Sequence, residues 1–272
     1  MWDPGQYMKF GAERALPFYD LLNALPPMTP RRVADLGCGT GHLTAVLARR
    51  WPWAQVVGVD ASEEMLVEAR ALAVPGRLEF VLGDVRTWEA DGTFDLIVSN
   101  ALLQWVPDHL GLLERLTAAL PPGGVLAFQV PGNFDEPSHT ELRRLATSTR
   151  WKDRIGLDID RSAAVARPRD YLDLLVGAGL DARVWETTYL HLLTGDDPVV
   201  AWTRGTALRP VLAALTADEQ DELLSEYAAS MRAAYPPGPH GTVLPFRRIF
   251  AVAARVGTTD TAVPRRSGCP AD

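Results

Sequence analysis

Residues 31–50 read Arg-Arg-Val-Ala-Asp-Leu-Gly-Cys-Gly-Thr-Gly-His-Leu-Thr-Ala-Val-Leu-Ala-Arg-Arg. Val33 to Leu36 has the make-up of a short buried strand, and Leu43, Val46 and Leu47 recur at helical spacing. A glycine turn joins them. Gly37, Gly39 and Gly41 can take backbone angles closed to other residues, so a ligand can lie against the main chain where the following helix offers unpaired N–H groups. A strand, a glycine loop and a helix in that order make a nucleotide pocket.

The spacing separates this loop from the dinucleotide fingerprint. Glycines at 37, 39 and 41 give G-x-G-x-G, whereas G-x-G-x-x-G requires glycine at position 42, which is His42. Asp35 is a second departure, because a carboxylate there repels a pyrophosphate but accepts hydrogen bonds from an ammonium group. Further on, Gln55 to Asp60 reads as a second buried strand ending in an acid, 19 positions beyond Gly41. That is close to the interval of about 20 at which an acidic residue reaches ribose hydroxyls. Asp60 or Ser62 can equally cap the next helix ahead of Glu63 and Glu64.

The pattern continues as alternating strands and helices. Leu78 to Leu82 reads as a third strand, followed by Gly83-Asp84-Val85, where Asp84 can bind an adenine amino group and Val85 cover its ring, or Asp84 simply shape a turn. Phe94 to Asn100 is a fourth strand and Val125 to Val130 a fifth, with a helix through Leu110, Leu113, Leu116 and Leu120 between them. This alternation predicts an α/β fold with a doubly wound, mostly parallel sheet. Ligands bind such sheets beyond the carboxyl ends of the strands, so Ser99 to Trp105 should flank the reacting group. Trp105 is there either a packing residue or a wall of the ligand pocket.

Beyond the fifth strand the regularity weakens. Residues 131–167 and 196–240 lie outside the βα units and are expected to fold back as a mainly helical cap. Between them Arg169 to Val176 reads as a helix and Ala182 to Leu193 as an edge strand, and Arg248 to Val256 reads as the final strand. At the other end, residues 1–30 mix aromatic, basic and apolar side chains before Pro26, Pro27 and Pro30. They read as a flanking helix or as a lid carrying Tyr7 and Arg14 toward an anionic ligand. Residues 257–272 are polar and unpatterned, as a disordered tail would be.

Composition narrows the class of partner. The chain of 272 residues is 47% hydrophobic and 22% charged, as in ordinary globular proteins. A net charge of −7 argues against a nucleic-acid partner. Lys9 and Lys152 are the only lysines among 27 basic residues, so a single arginine carries little weight by itself. Cys38 and Cys269 suggest no disulfide framework, and no stretch approaches a membrane span of about 20 apolar residues. A soluble, cytoplasmic protein acting on small molecules is expected, with no membrane partner; its oligomeric state is not legible.

Several segments carry a family resemblance. They are Trp2-Asp3-Pro4 with Tyr7, Phe10 and Arg14; Arg32 to Gly39; Ser99-Asn100-Ala101-Leu102-Leu103-Gln104-Trp105-Val106-Pro107; Gln129-Val130-Pro131-Gly132-Asn133-Phe134; Arg204-Gly205-Thr206 through Leu208-Arg209-Pro210; and Leu244-Pro245-Phe246-Arg247-Arg248. The glycine loop resembles that of the class I S-adenosylmethionine-dependent methyltransferases. The other segments, which extend the likeness to about residue 256, resemble the trans-aconitate methyltransferase family within it. Thr203-Arg204 departs from the basic or apolar residue followed by lysine expected there, and arginine changes the geometry of that charge.

The resemblance implies transfer of a methyl group from S-adenosylmethionine to a carboxylate of a small polycarboxylate, by in-line attack on the sulfonium methyl, without a metal. It implies cofactor contacts from Asp35, Gly37, Gly39, Gly41, Asp60, Ala61, Met65, Asp84, Val85, Ser99, Asn100 and Gln104, and acceptor contacts from Tyr7, Arg14, Trp105, Trp202, Arg204, Arg209 and Arg247. No catalytic base is implied, since a carboxylate is already ionised at neutral pH, and His42 and His109 are left as structural residues. Other readings stay open: a methyltransferase for a different small acid or natural product, or a non-catalytic S-adenosylmethionine-binding protein.

Overall fold

Strand β1 (Arg32–Leu36) has every residue after Arg32 buried. Val33 joins one hydrophobic cluster while Ala34 and Leu36 join another, the alternation of a strand covered on both faces. Asp95 fixes its start, accepting the backbone N–H groups of Arg31 and Arg32 at 2.7 and 3.0 Å. The computed structural model describes residues 11–89 and 94–257, the side chains of Ala12 and Arg14 excepted. Tyr7, the side chain of Arg14 and almost all of the expected tail therefore lie outside the described residues.

Strands β2 (Gln55–Asp60), β3 (Leu78–Leu82), β4 (Leu96–Asn100) and β5 (Val125–Pro131) run parallel to β1. Strands β6 (Leu180–Leu193) and β8 (Gly241–Arg255) add antiparallel at the far side, and the short β7 (Pro237–Gly238) pairs with β8. The order is β3-β2-β1-β4-β5-β8-β6. The chain thus reverses its direction of growth between β1 and β4, and the crevice beyond their carboxyl ends is where a doubly wound sheet can receive a ligand.

Helices cover both faces. On one, α1 (Gly11–Asn23), α2 (His42–Arg50) and α3 (Glu63–Arg70) bury Phe18, Leu21, Leu47 and Leu66 against Val98 and Phe250. On the other, α4 (His109–Ala118) and α7 (Pro168–Gly177) bury Leu113, Leu116 and Tyr171 against Phe128 and Ala251. The remaining helices are α5 (Pro137–Ala146), α6 (Lys152–Ile155), α8 (Pro198–Arg204), α9 (Leu208–Ala213) and α10 (Ala217–Ala234). They share a third cluster with Leu193 and Leu244, from the overhanging ends of β6 and β8. The two segments that fall outside the βα units in the sequence thus pack on one another. No helix of the described residues is long and apolar enough to cross a membrane.

The final strand is longer than the sequence pattern predicts. It begins at Gly241 and takes in Leu244 to Arg247, which the sequence reading places ahead of a strand from Arg248. Pro245 pairs with Leu190 of β6, beyond the last β5 partner of β8 at Arg248. With a strand neighbour on one side only, the missing N–H of proline can face outward at no cost to the ladder.

Trp151 is wholly buried at the centre of the third cluster, with Nε1 donating to Glu226 at 3.3 Å. Replacing it with alanine should cost about 3–5 kcal/mol of unfolding free energy. Urea denaturation followed by circular dichroism checks this.

Candidate functional site

The loop from Gly37 to Gly41 joins β1 to α2. Two of its glycines are required for opposite reasons. Gly41 has φ +76°, and a Cβ there would lie 2.7 Å from the Phe80 ring and 2.9 Å from Ala69 Cβ, so the helix start is packed hard on its neighbours. Gly39 has φ +54°, and a Cβ there would meet nothing within 4 Å. Its surroundings are open, as a cradle for a ligand must be.

Asp60 holds this loop in place. Its Oδ2 accepts from Gly39 N–H at 2.8 Å and its Oδ1 from Ser62 N–H at 2.9 Å. Ser62 Oγ in turn accepts from Met65 N–H and caps α3, as the capping alternative read from the sequence has it. Each carboxylate oxygen of Asp60 keeps a lone pair for another donor. Ala61 is exposed and Met65 half-buried at the same corner.

Asp35 lies deeper, 3% exposed, accepting from Thr44 Oγ at 2.6 Å. Burial pushes its pKa up to about 6, with the Thr44 bond opposing and the nearby Asp60 charge adding to the rise. The Cys38 thiol, also buried beside these two acids, is pushed far up and stays protonated.

The carboxyl end of β4 supplies polar atoms without partners. Ser99 Oγ, Asn100 Oδ1 and Gln104 Oε1 are all buried and unsatisfied. Such atoms are rare in folded proteins, and three in six residues mark a place that a polar ligand would complete. Ala101 between them has φ +57°, a strained angle for a residue with a Cβ, and its N–H donates to the Gln129 carbonyl at 2.9 Å. The Gly39 cradle, the ribose-competent Asp60 and these unsatisfied atoms suit S-adenosylmethionine.

Other expected residues sit differently. Asp84 is gripped by its own neighbour, with Arg86 Nε at 2.9 Å and Nη2 at 2.5 Å from Oδ2, and these bonds hold its pKa below the usual carboxylate range. Val85 is buried. Trp202 is buried in the third cluster and stacks on His191 at 4.8 Å. Arg204 and Arg209 are exposed on α8 and α9. Arg247 braces the β5–β8 crossing: Nε donates to the Gly132 carbonyl at 2.8 Å, Nη1 to Glu186 at 2.6 Å and its N–H to Asn133 Oδ1 at 2.7 Å.

The structure brings forward groups that the sequence reading passes over. Arg161 lays its guanidinium 4.2 Å from the centre of the exposed Trp105 ring and donates to the Gln104 carbonyl. Burial lowers its pKa. Arg248, 5% exposed, donates from Nη1 to Gln129 Oε1 at 3.1 Å. Arg161 comes from an irregular segment with no pattern to betray it. Arg248 and Gln129 did leave a signal, each being a polar residue inside an apolar strand run. Among the described residues no group of His, Cys, Asp and Glu could hold a metal ion.

Residues 33–124 match the family model described as "Methyltransferase domain". The trans-aconitate 2-methyltransferase of Streptomyces avermitilis is 53% identical over 258 residues, covering 93% of this chain and 96% of that protein. The chain belongs to the trans-aconitate 2-methyltransferase family. The family member from Streptomyces coelicolor is 52% identical over 262 residues, covering 93% of this chain and 86% of that protein. Among solved structures, phosphoethanolamine N-methyltransferase 2 of Haemonchus contortus in complex with S-adenosyl-L-methionine aligns with a TM-score of 0.52 at 20% identity. That alignment covers 89% of this chain and 53% of the other, a likeness of fold. As a member of the trans-aconitate 2-methyltransferase family, the chain is a methyltransferase on a class I α/β scaffold.

The two glycines should separate cleanly in stability. Gly41→Ala combines a left-handed angle with contacts shorter than 3 Å and should lose at least about 3 kcal/mol. Gly39→Ala meets only the angle and should lose about 1–2 kcal/mol. Parallel urea titrations of the two variants check the difference; equal losses would remove the reading of Gly39 as open.

Proposed function

We propose that this chain transfers the methyl group of S-adenosylmethionine to one carboxylate of trans-aconitate, giving a monomethyl ester and S-adenosylhomocysteine. The observation that carries the proposal is the near-full-length identity to relatives of that name. The glycine cradle, Asp60 and the unsatisfied atoms of β4 support the cofactor half of it.

When bound, S-adenosylmethionine supplies an electrophilic methyl group on a cationic sulfur. Gly37, Gly39 and Gly41 leave room for it along the main chain, and the free lone pairs of Asp60 receive ribose hydroxyls. Asp35 faces the ammonium group, and Ala61, Met65 and Val85 line the adenine side. Asp84 reaches the adenine amino group only by sharing its carboxylate with Arg86. Ser99, Asn100 and Gln104 offer their unsatisfied oxygens to donors of the amino-acid end.

The acceptor carboxylate is ionised at neutral pH and needs no base. The protein's task is to place it, and orientation alone can supply about 7–11 kcal/mol of the barrier. Trp105 with Arg161 walls the acceptor side. Arg204 and Arg209 sit further out on the helical layer, where residues of 131–167 and 196–240 serve as a cap on the methyltransferase core of residues 31–256. Arg247 contributes by holding the β5–β8 crossing, and Trp202 by packing under the acceptor side. The reaction requires no metal.

The reading is tested by mass spectrometry of purified protein incubated with S-adenosylmethionine and, in separate reactions, trans-aconitate, cis-aconitate or citrate. Preferential formation of a trans-aconitate methyl ester is expected. Tight S-adenosylhomocysteine binding with no ester from trans-aconitate would discard the acceptor.

Asp35 gives a pH signature. Lowering the pH through about 6 neutralises its carboxylate and removes the attraction for the cofactor's ammonium group. S-adenosylhomocysteine affinity should therefore fall as pH drops from 7 to 5, by about tenfold. Calorimetric titrations should show that slope in the wild type and lose it in Asp35→Asn.

A further inference from the structure

The unsatisfied buried atoms extend beyond β4, across the sheet to β5 and β6. Gln129 is 0% exposed, Arg248 5% and His191 6%. Ala127 and Phe250, two residues from Gln129 and Arg248 on their strands, both belong to the cluster under α1, so Gln129 and Arg248 share that face. Gln129 stands opposite Asn100 in the β4–β5 register, and Arg248 opposite Pro131 in the β5–β8 register. The row therefore starts at the end of β4, where the cofactor side of the crevice stops.

Its polarity is fixed by chemistry. A guanidinium only donates, so the 3.1 Å bond from Arg248 Nη1 identifies the Gln129 atom it reaches as Oε1 and turns Nε2 the other way. That Nε2 is buried without a partner, and so is His191 Nε2. Aromatic rings close the sides: Phe246 lies 4.4 Å below the Arg248 guanidinium, and Trp202 stacks on His191. Burial, then the Arg248 charge, depress the His191 pKa against an opposing Glu13 charge.

We propose that Arg248 and Gln129 form a docking subsite for a carboxylate of the acceptor other than the one that is methylated. This rests on the reading of the chain as a polycarboxylate methyltransferase. A positive charge beside an amide N–H pair with no partner matches the oxygens of one carboxylate. The Gln129 N–H pair is buried, so the cost of leaving it unpaired falls on any acceptor lacking a second carboxylate. The subsite thereby selects di- and tricarboxylates over monoacids.

Gln129→Glu tests it. This near-isosteric change sets an internal carboxylate against Arg248, filling the subsite while keeping the fold. In calorimetric titrations of trans-aconitate into protein saturated with S-adenosylhomocysteine, the variant should bind at least about tenfold more weakly than wild type. Its affinity for S-adenosylhomocysteine alone should stay within about twofold, and its melting temperature should not fall. If Q129E does not fold, Gln129→Met, which removes the donor and adds no charge, should show the same loss. A folded variant that binds trans-aconitate as wild type does overturns the subsite. So does an equal loss of S-adenosylhomocysteine affinity, which would assign these donors to the cofactor's carboxylate. A wild type that neither binds nor esterifies trans-aconitate overturns the functional reading and the subsite with it.

Discussion

The Asp60 carboxylate, bonded to Gly39 N–H on one oxygen and Ser62 N–H on the other, is the contact on which the site depends. It joins the end of β2 to the glycine loop after β1 and to the start of α3. Without it the loop's left-handed glycines would have no reason to keep Gly39 open toward the crevice. The bonds Gly37 N–H and Cys38 N–H make to the Val59 carbonyl reinforce the same junction. A site built this way sits on strand ends and a helix cap, which are stiffer supports than free loops.

From that junction the crevice changes character across the sheet. The β1 and β2 side is acidic, with the Asp60 charge close enough to add to the rise in the Asp35 pKa. The β4, β5 and β8 side turns through the unsatisfied amides of Asn100, Gln104 and Gln129 to the guanidiniums of Arg161 and Arg248. A cationic sulfonium donor and an anionic acceptor would be sorted by that gradient. A chain with a net charge of −7 can hold a polycarboxylate only where positive charge is concentrated locally.

Local pattern made the core of the fold readable. The second and third strands run over the residues their apolar patterns mark out, Gln55–Asp60 and Leu78–Leu82, because both hydrophobic runs are bounded by turn residues. The interval from Gly41 to Asp60 likewise reports a contact made between neighbouring strand ends. Arg248 and Gln129 were harder, since their contact spans 119 residues of sequence and exists only through the antiparallel register of β5 and β8. The early start of the last strand was hidden for a related reason: whether Pro245 breaks a strand depends on whether a second neighbour is present. Arg247 looked like an acceptor contact in a Pro-Phe-Arg-Arg run, yet Gly132, Asn133 and Glu186, which occupy it, come from two other strands or their ends. The residue beside it, facing the other way, is the one directed at Gln129.

The account's central claim is that donor and acceptor meet at the carboxyl ends of β1, β4 and β5, with the acceptor reaching toward β8. A crystal structure of the chain with S-adenosylhomocysteine and trans-aconitate tests it most directly. The account predicts the ribose on Asp60, the sulfur beside the β4 end and one acceptor carboxylate within hydrogen-bond distance of Gln129 Nε2 and Arg248. An acceptor bound away from this row, or a cofactor whose own carboxylate occupies it, would contradict the account.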